Sequence, residues 1–167
     1  MIFSVRKDPP IFLSASFFLL FLFCGYKLAV QKNLWNDEIY TQYYSIDRSS
    51  YGQIWSGKLV EGNNAPLFYV LQKLTVSCFH FKASDTWEGK PKISDLRAKI
   101  ILRVNSVIMM SFVLSFIFYY FSRRFSLGVG FYSLLASLSF YAVWNYWAEA
   151  RPYGLWLGLS ILELLLV

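Results

Sequence analysis

Two adjacent carboxylates, Asp37 and Glu38, follow Trp35 after a single asparagine in "NLWNDEIYTQYY". A carboxylate at a membrane surface can accept the proton of an attacking hydroxyl, with its neighbour orienting it or holding a divalent cation. The same two residues also serve plain helix initiation, with Asn36 as N-cap and the acids complementing the positive helix end. Trp35 would anchor either arrangement at interface depth. Complementary chemistry comes from Arg103 in "ILRVNS" and Arg151 in "AEARPYG". A guanidinium's fixed fork of donors suits a phosphate, although an arginine at a helix end also simply snorkels to headgroups. Glu149, two residues before Arg151, could hold that arginine by an ion pair. Pro152 then interrupts the helix where a site needs non-helical backbone. Asn63 and Asn64 in "NNAPL" add amides; their structural use is a turn, with Asn64 capping a helix that Pro66 opens.

The elements that must position these groups are membrane elements. The chain is 56% hydrophobic and 20% aromatic, with only 16% charged residues, against roughly a quarter charged in soluble domains. A net charge of +6 does not point to nucleic acid. Arg6–Lys7, Arg123–Arg124 and the lysines from Lys82 to Lys99 flank apolar segments rather than forming a patch with interleaved aromatics, the pattern of topology signals and headgroup contacts. Cys24 and Cys78 lack CxxC or metal-ligand spacing, and the lone His80 reads as an interfacial residue.

A first span covers residues 11–30 behind Arg6–Lys7. It reads as a retained helix with a cytoplasmic N-terminus, because no small-residue cleavage site follows it. Further spans are expected over residues 101–122 and 127–147, each near the twenty or so residues needed to cross hydrocarbon. A fourth starts near residue 153 and carries Glu163, which should face protein or water. Residues 31–100 form a long loop with a helix over residues 66–81, too short and too polar at Lys73 to span. Its Leu67, Leu71, Leu74 and Cys78 share a face, with Gln72, Lys73 and His80 turned away, so it is expected to lie in the interface. That choice places Arg123–Arg124 in a short cytoplasmic turn, as the positive-inside rule prefers. It also brings "WNDE", "NNAPL", Arg103 and "EARPYG" to one external face.

In order and spacing these stretches resemble the N-terminal part of the GT-C membrane glycosyltransferases, nearest to bacterial protein O-mannosyltransferase-like and aminoarabinose-transferase-like enzymes. The resemblance runs from about Phe12 through "WNDE", "NNAPLFYVLQKL", "LRVNS", "YYFSRRF" and "YWAEARPYGLWL". It implies an all-α, polytopic integral membrane protein, a GT-C type N-terminal half whose external loop carries interfacial juxtamembrane helices. It implies an enzyme that transfers a sugar, with inversion, from a polyprenyl-phosphate donor to a hydroxyl of a glycolipid, polysaccharide or protein. Asp37 matches the catalytic base and Glu38 its partner at the acceptor or at a divalent cation. Arg103, Arg151, Asn64 and Tyr153 match donor-phosphate and substrate-binding positions. The implied location is a bacterial cytoplasmic membrane, with the active face external.

Two departures stand beside the resemblance. "NAPL" lacks the family's histidine and first proline, and family members are several hundred residues long. The chain is therefore expected to be the N-terminal fragment of a longer enzyme whose later spans complete the donor-lipid groove. A non-catalytic assembly or binding subunit is the alternative. A transporter would want an internal repeat and midplane polar groups, and the sequence has neither.

Overall fold

The computed structural model describes residues 11–60, 66–82 and 96–167, and every regular element among them is helical. Helix α1 is Ile11–Gln31, α2 Asn36–Tyr40 and α3 Tyr51–Trp55, with a π-helical stretch Thr41–Asp47 continuing α2. Helix α4 is Pro66–Cys78, α5 Leu96–Arg124, α6 Leu127–Leu138, α7 Tyr141–Trp147 and α8 Pro152–Leu166. Helices α1 and α5 are long and apolar enough to cross a membrane, and α6 with α7 adds a third span if the bent pair is counted as one. Helix α5 is the spine, packed against α1, α4, α6, α7 and α8. At 29 residues it is roughly 44 Å long, longer at both ends than the expected 101–122.

Two large apolar centres lie along α5, with a small third formed by Ala29, Val107 and Ala148. One joins α1 to the α6–α7 arm through Phe21, Met110, Leu114, Phe118, Leu134 and Trp147. The Phe17 and Phe118 rings meet edge-on at 4.8 Å. The other gathers Ile39, Ile46, Ile54, Phe68, Tyr69, Leu102 and Leu155 beneath the loop helices. Close approach here depends on missing side chains. A Cβ at Gly25 would lie 2.7 Å from Val107 Cγ1, and one at Gly154 would lie 2.6 Å from the Tyr146 carbonyl oxygen.

The expected straight span over residues 127–147 is broken instead. Helices α6 and α7 meet at 72°, because Phe140 is extended at φ −79, ψ 125. The exposed carbonyls at the break find donors, which is what allows a bend in apolar surroundings. Ser139 N–H donates to Leu135 O, Phe140 N–H to Ser137 O and Ser139 Oγ to Ala136 O. Trp144 Nε1 donates to Leu138 O at 2.6 Å. Apolar content alone could not reveal this break, since the two arms taken together are apolar enough to pass for one span.

Helix α4 ends at Cys78 rather than at residue 81, and His80 follows in the left-handed region at φ 47. Of its expected outward face, Leu67, Leu74 and Cys78 are exposed, whereas Leu71 is half-buried against the core. Gln72 is corrected: it is buried, not turned to water, because its amide donates to Leu102 O at 2.9 Å and accepts from Asn105 Nδ2. A polar residue on α4 is thus the peg that docks it on α5. Glu163 is exposed on α8.

Candidate functional site

The end of α1, the start of α2, the upper part of α5 and the α7–α8 linker converge on one point. Trp35, not Asn36, caps α2, with Trp35 N–H donating to Glu38 Oε2 at 2.8 Å. That backward bond turns Glu38 inward and leaves Asp37 outward. Glu38 is 1% exposed and Arg103 is 1% exposed. Arg103 Nε donates to Glu38 Oε1 at 3.0 Å and Nη2 to Oε2 at 2.6 Å, a bidentate pair. Glu38 Oε1 also accepts from Ala150 N–H at 2.6 Å. Each carboxylate oxygen therefore holds two donors, its full ordinary capacity.

The guanidinium is equally saturated. Its remaining N–H groups donate to Ala29 O, Lys32 O and Asn33 O at 2.7–2.8 Å. Lys99 Nζ adds Val30 O at 3.2 Å and Asn33 Oδ1 at 3.1 Å. Two cations of α5 thus cap the C-terminal carbonyls of α1, where the helix dipole is negative. Arg103, expected at the donor phosphate, and Glu38, expected at the acceptor or a cation, are bonded to each other and to backbone groups. No donor or lone pair of the couple is left over. A divalent cation at Asp37 and Glu38 does not fit this donor set, because only Asp37 retains free oxygen. Among the described residues no group of three or more His, Cys, Asp or Glu could hold a metal.

Asp37 and Arg151 form a second pair of the opposite character. Arg151 Nη1 donates to Asp37 Oδ2 at 3.0 Å, with the aspartate side chain 74% exposed. The expected Glu149–Arg151 ion pair is not formed; Arg151 reaches across to α2 instead. Its guanidinium sits over the Tyr153 ring at 5.4 Å, and Tyr153 packs on Tyr146 at 5.2 Å. Arg151 is the extended N-cap of α8 and Pro152 occupies the first turn, so the linker stays non-helical. Arg151 Nε is buried without a hydrogen-bond partner. Asn64 lies outside the described residues.

Against the Glu38–Arg103 couple is a small polar cleft of about 80 Å³, lined by Lys32, Trp35, Glu38, Arg103, Asn145, Ala148 and Glu149. Lys32 Nζ donates to Trp144 O and Asn145 O at 3.3 Å each, capping the end of α7. Burial, then the nearby Arg103 charge, lowers the Lys32 pKa, opposed by Glu149 and Glu38. Burial, then the Glu38 charge, raises the Glu149 pKa, opposed by Arg151, Lys32 and Arg103. Glu149 Oε2 is buried without a hydrogen-bond partner. Lys32 and Asn145 were not singled out in the sequence; the available signal was a basic residue just past the end of a helix, Lys32 after Gln31. Searched against family models, curated proteins and solved structures, the chain finds no match.

Proposed function

We propose that the chain is the N-terminal portion of a polytopic membrane glycosyltransferase, acting at the membrane face where Asp37 and Arg151 meet. The observation that carries this reading is the exposed Asp37–Arg151 pair, built from residues 114 apart and seated on the closed Glu38–Arg103 couple. Asp37 keeps an oxygen free to accept a hydroxyl proton, and Arg151 offers fixed positive charge to a departing phosphate. Tyr153 holds the guanidinium from below. Arg103 and Glu38 act at one remove, by fixing the backbone that presents Asp37. The donor is a polyprenyl-phosphate sugar and the acceptor a hydroxyl of a glycolipid, polysaccharide or protein. The site faces the exterior of a bacterial cytoplasmic membrane.

The test is transfer from a polyprenyl-phosphate sugar in membranes carrying the native protein, wild type beside Asp37→Asn. Loss of transfer in the mutant with unchanged membrane insertion supports the reading; equal transfer removes Asp37 from the mechanism. A second reading, a non-catalytic assembly subunit, is favoured by one observation: two of the expected site residues, Glu38 and Arg103, are wholly spent on holding the fold. It expects Asp37→Asn to be silent and substitutions along the helix faces to be harmful.

A further inference from the structure

The polar cleft beside the Asp37–Arg151 pair retains a specific set of unused hydrogen-bonding groups once the saturated Glu38–Arg103 couple is set aside. Glu149 Oε2 is buried and unpartnered. Lys32 spends two of its three ammonium donors on carbonyls of α7, both through long bonds of 3.3 Å, and keeps one. The Asn145 amide, half-buried on the same wall, carries no hydrogen bond to the described residues. The Trp35 side chain stands at the rim, 67% exposed. A buried carboxylate oxygen without a partner is costly, so something polar completes this cleft in the working protein.

The charge of the walls narrows what that is. Lys32 and Arg103 are balanced by Glu38 and Glu149, so the cleft has no formal net charge. An anion would meet two carboxylates and a cation would meet an ammonium and a guanidinium. A neutral group that both donates and accepts meets neither penalty. At about 80 Å³ the cleft has room for more than one water, each needing roughly 10–15 Å³, or for a hydroxyl on its carbon. A sugar ring stays outside, where the flat face of Trp35 offers apolar surface beside the polar groups.

We infer that this cleft is a subsite for a hydroxyl of a neutral carbohydrate, which donates to Glu149 Oε2 and accepts from Lys32 or the Asn145 amide while its ring lies against Trp35. The raised pKa of Glu149 agrees with a carboxylate still lacking its partner. The groups facing Glu149 are Lys32 beyond α1, Glu38 on α2, Arg103 on α5 and Arg151 on its own linker. Use of the subsite in sugar transfer rests on the transferase reading; its existence as a binding site does not.

Native protein in lipid nanodiscs, observed by saturation-transfer NMR, tests this with a panel of neutral methyl glycosides beside an anionic hexuronate and a cationic amino sugar. Saturable signal from a neutral glycoside is expected. Glu149→Gln and Asn145→Ala should each weaken it about tenfold or more, with thermal unfolding confirming that both variants fold. No neutral glycoside binding, meaning an ordered water only, would overturn the inference. So would preference for a charged sugar, or equal binding in folded variants. In transfer assays, a KM rise for the lipid-linked donor assigns the hydroxyl to the donor sugar, and a rise for the acceptor assigns it there. Glycoside binding without transfer removes the transferase and keeps the subsite; transfer without glycoside binding does the reverse.

Discussion

Asp37 and Glu38 are neighbours in sequence, both acidic and both paired with an arginine from a distant segment, yet they end in opposite environments. Glu38 is buried and bidentate with Arg103, and every polar atom of that couple is satisfied. Asp37 is largely exposed and holds Arg151 through a single 3.0 Å bond. Burial decides the use. A desolvated pair tolerates the interior only when saturated, and breaking it strands a charge. An exposed pair contributes little to stability but leaves lone pairs and N–H groups open to a ligand. One peptide bond, with Trp35 N–H drawing Glu38 inward, thus separates a structural carboxylate from an available one.

The comparison can be broken most directly at its buried side. Arg103→Met leaves Glu38 unpaired and uncaps the end of α1, so a loss of about 3–5 kcal/mol is expected. Thermal unfolding of the purified protein in detergent should show it, together with poor recovery from membranes. The exposed side should behave inversely. On the proposed transferase reading, Asp37→Asn is expected to reduce transfer by about 10²–10⁴-fold, the usual worth of a positioned base, while stability changes by less than about 1 kcal/mol. A large fall in unfolding temperature for Asp37→Asn would erase the distinction between the two acids.

The packing that brings Arg151 to Asp37 is the next lever. Gly154 lets α8 approach Tyr146 O and Ser106. Gly154→Ala should therefore cost about 1–3 kcal/mol through overpacking and loosen the Arg151–Asp37 contact, readable as weakened transfer at unchanged Glu38–Arg103 integrity. The smallest effect concerns Glu149. Its folded pKa is raised above the usual 4.5, so folding shifts the group toward protonation relative to the unfolded chain. The stability linked to this group is fully present below its unfolded pKa and is lost as pH rises through the folded value. Glu149→Gln should accordingly flatten the decline in unfolding temperature on the alkaline side of 4.5 and leave the variant slightly more stable there. A variant that unfolds earlier than wild type at every pH would instead make Glu149 a structural residue.

Much of the helical plan was legible because apolar content and length report directly on it. The first span at α1 is close to its expected bounds, and the proline-started α4 begins at Pro66 as expected. Helix α8 follows Pro152 for the reason visible in the sequence, that proline suits a first turn and stops what precedes it. The break between α6 and α7 was not legible. It is made by Ser139, Phe140 and the Trp144 indole acting across a turn, and none of these residues breaks a helix on its own. Gln72 was misread for a related reason, since hydropathy ranks a glutamine as outward-facing until a specific carbonyl and amide are placed opposite it.

The candidate site divides along the same line. Which residue types carry chemistry, and that Asp37, Glu38, Arg103 and Arg151 belong to one end of the helices, followed from the sequence, because span lengths and the positions of charge set depth along a membrane normal. Which carboxylate took which arginine was decided by tertiary structure alone. Arg103 meets the ending carbonyls of α1 as well as Glu38, and that choice depends on the register of α5 against α1. Arg151, freed from Glu149, reaches Asp37 because the α7–α8 linker is extended. Ion pairing is chosen by distance and desolvation in three dimensions, and a linear sequence records neither.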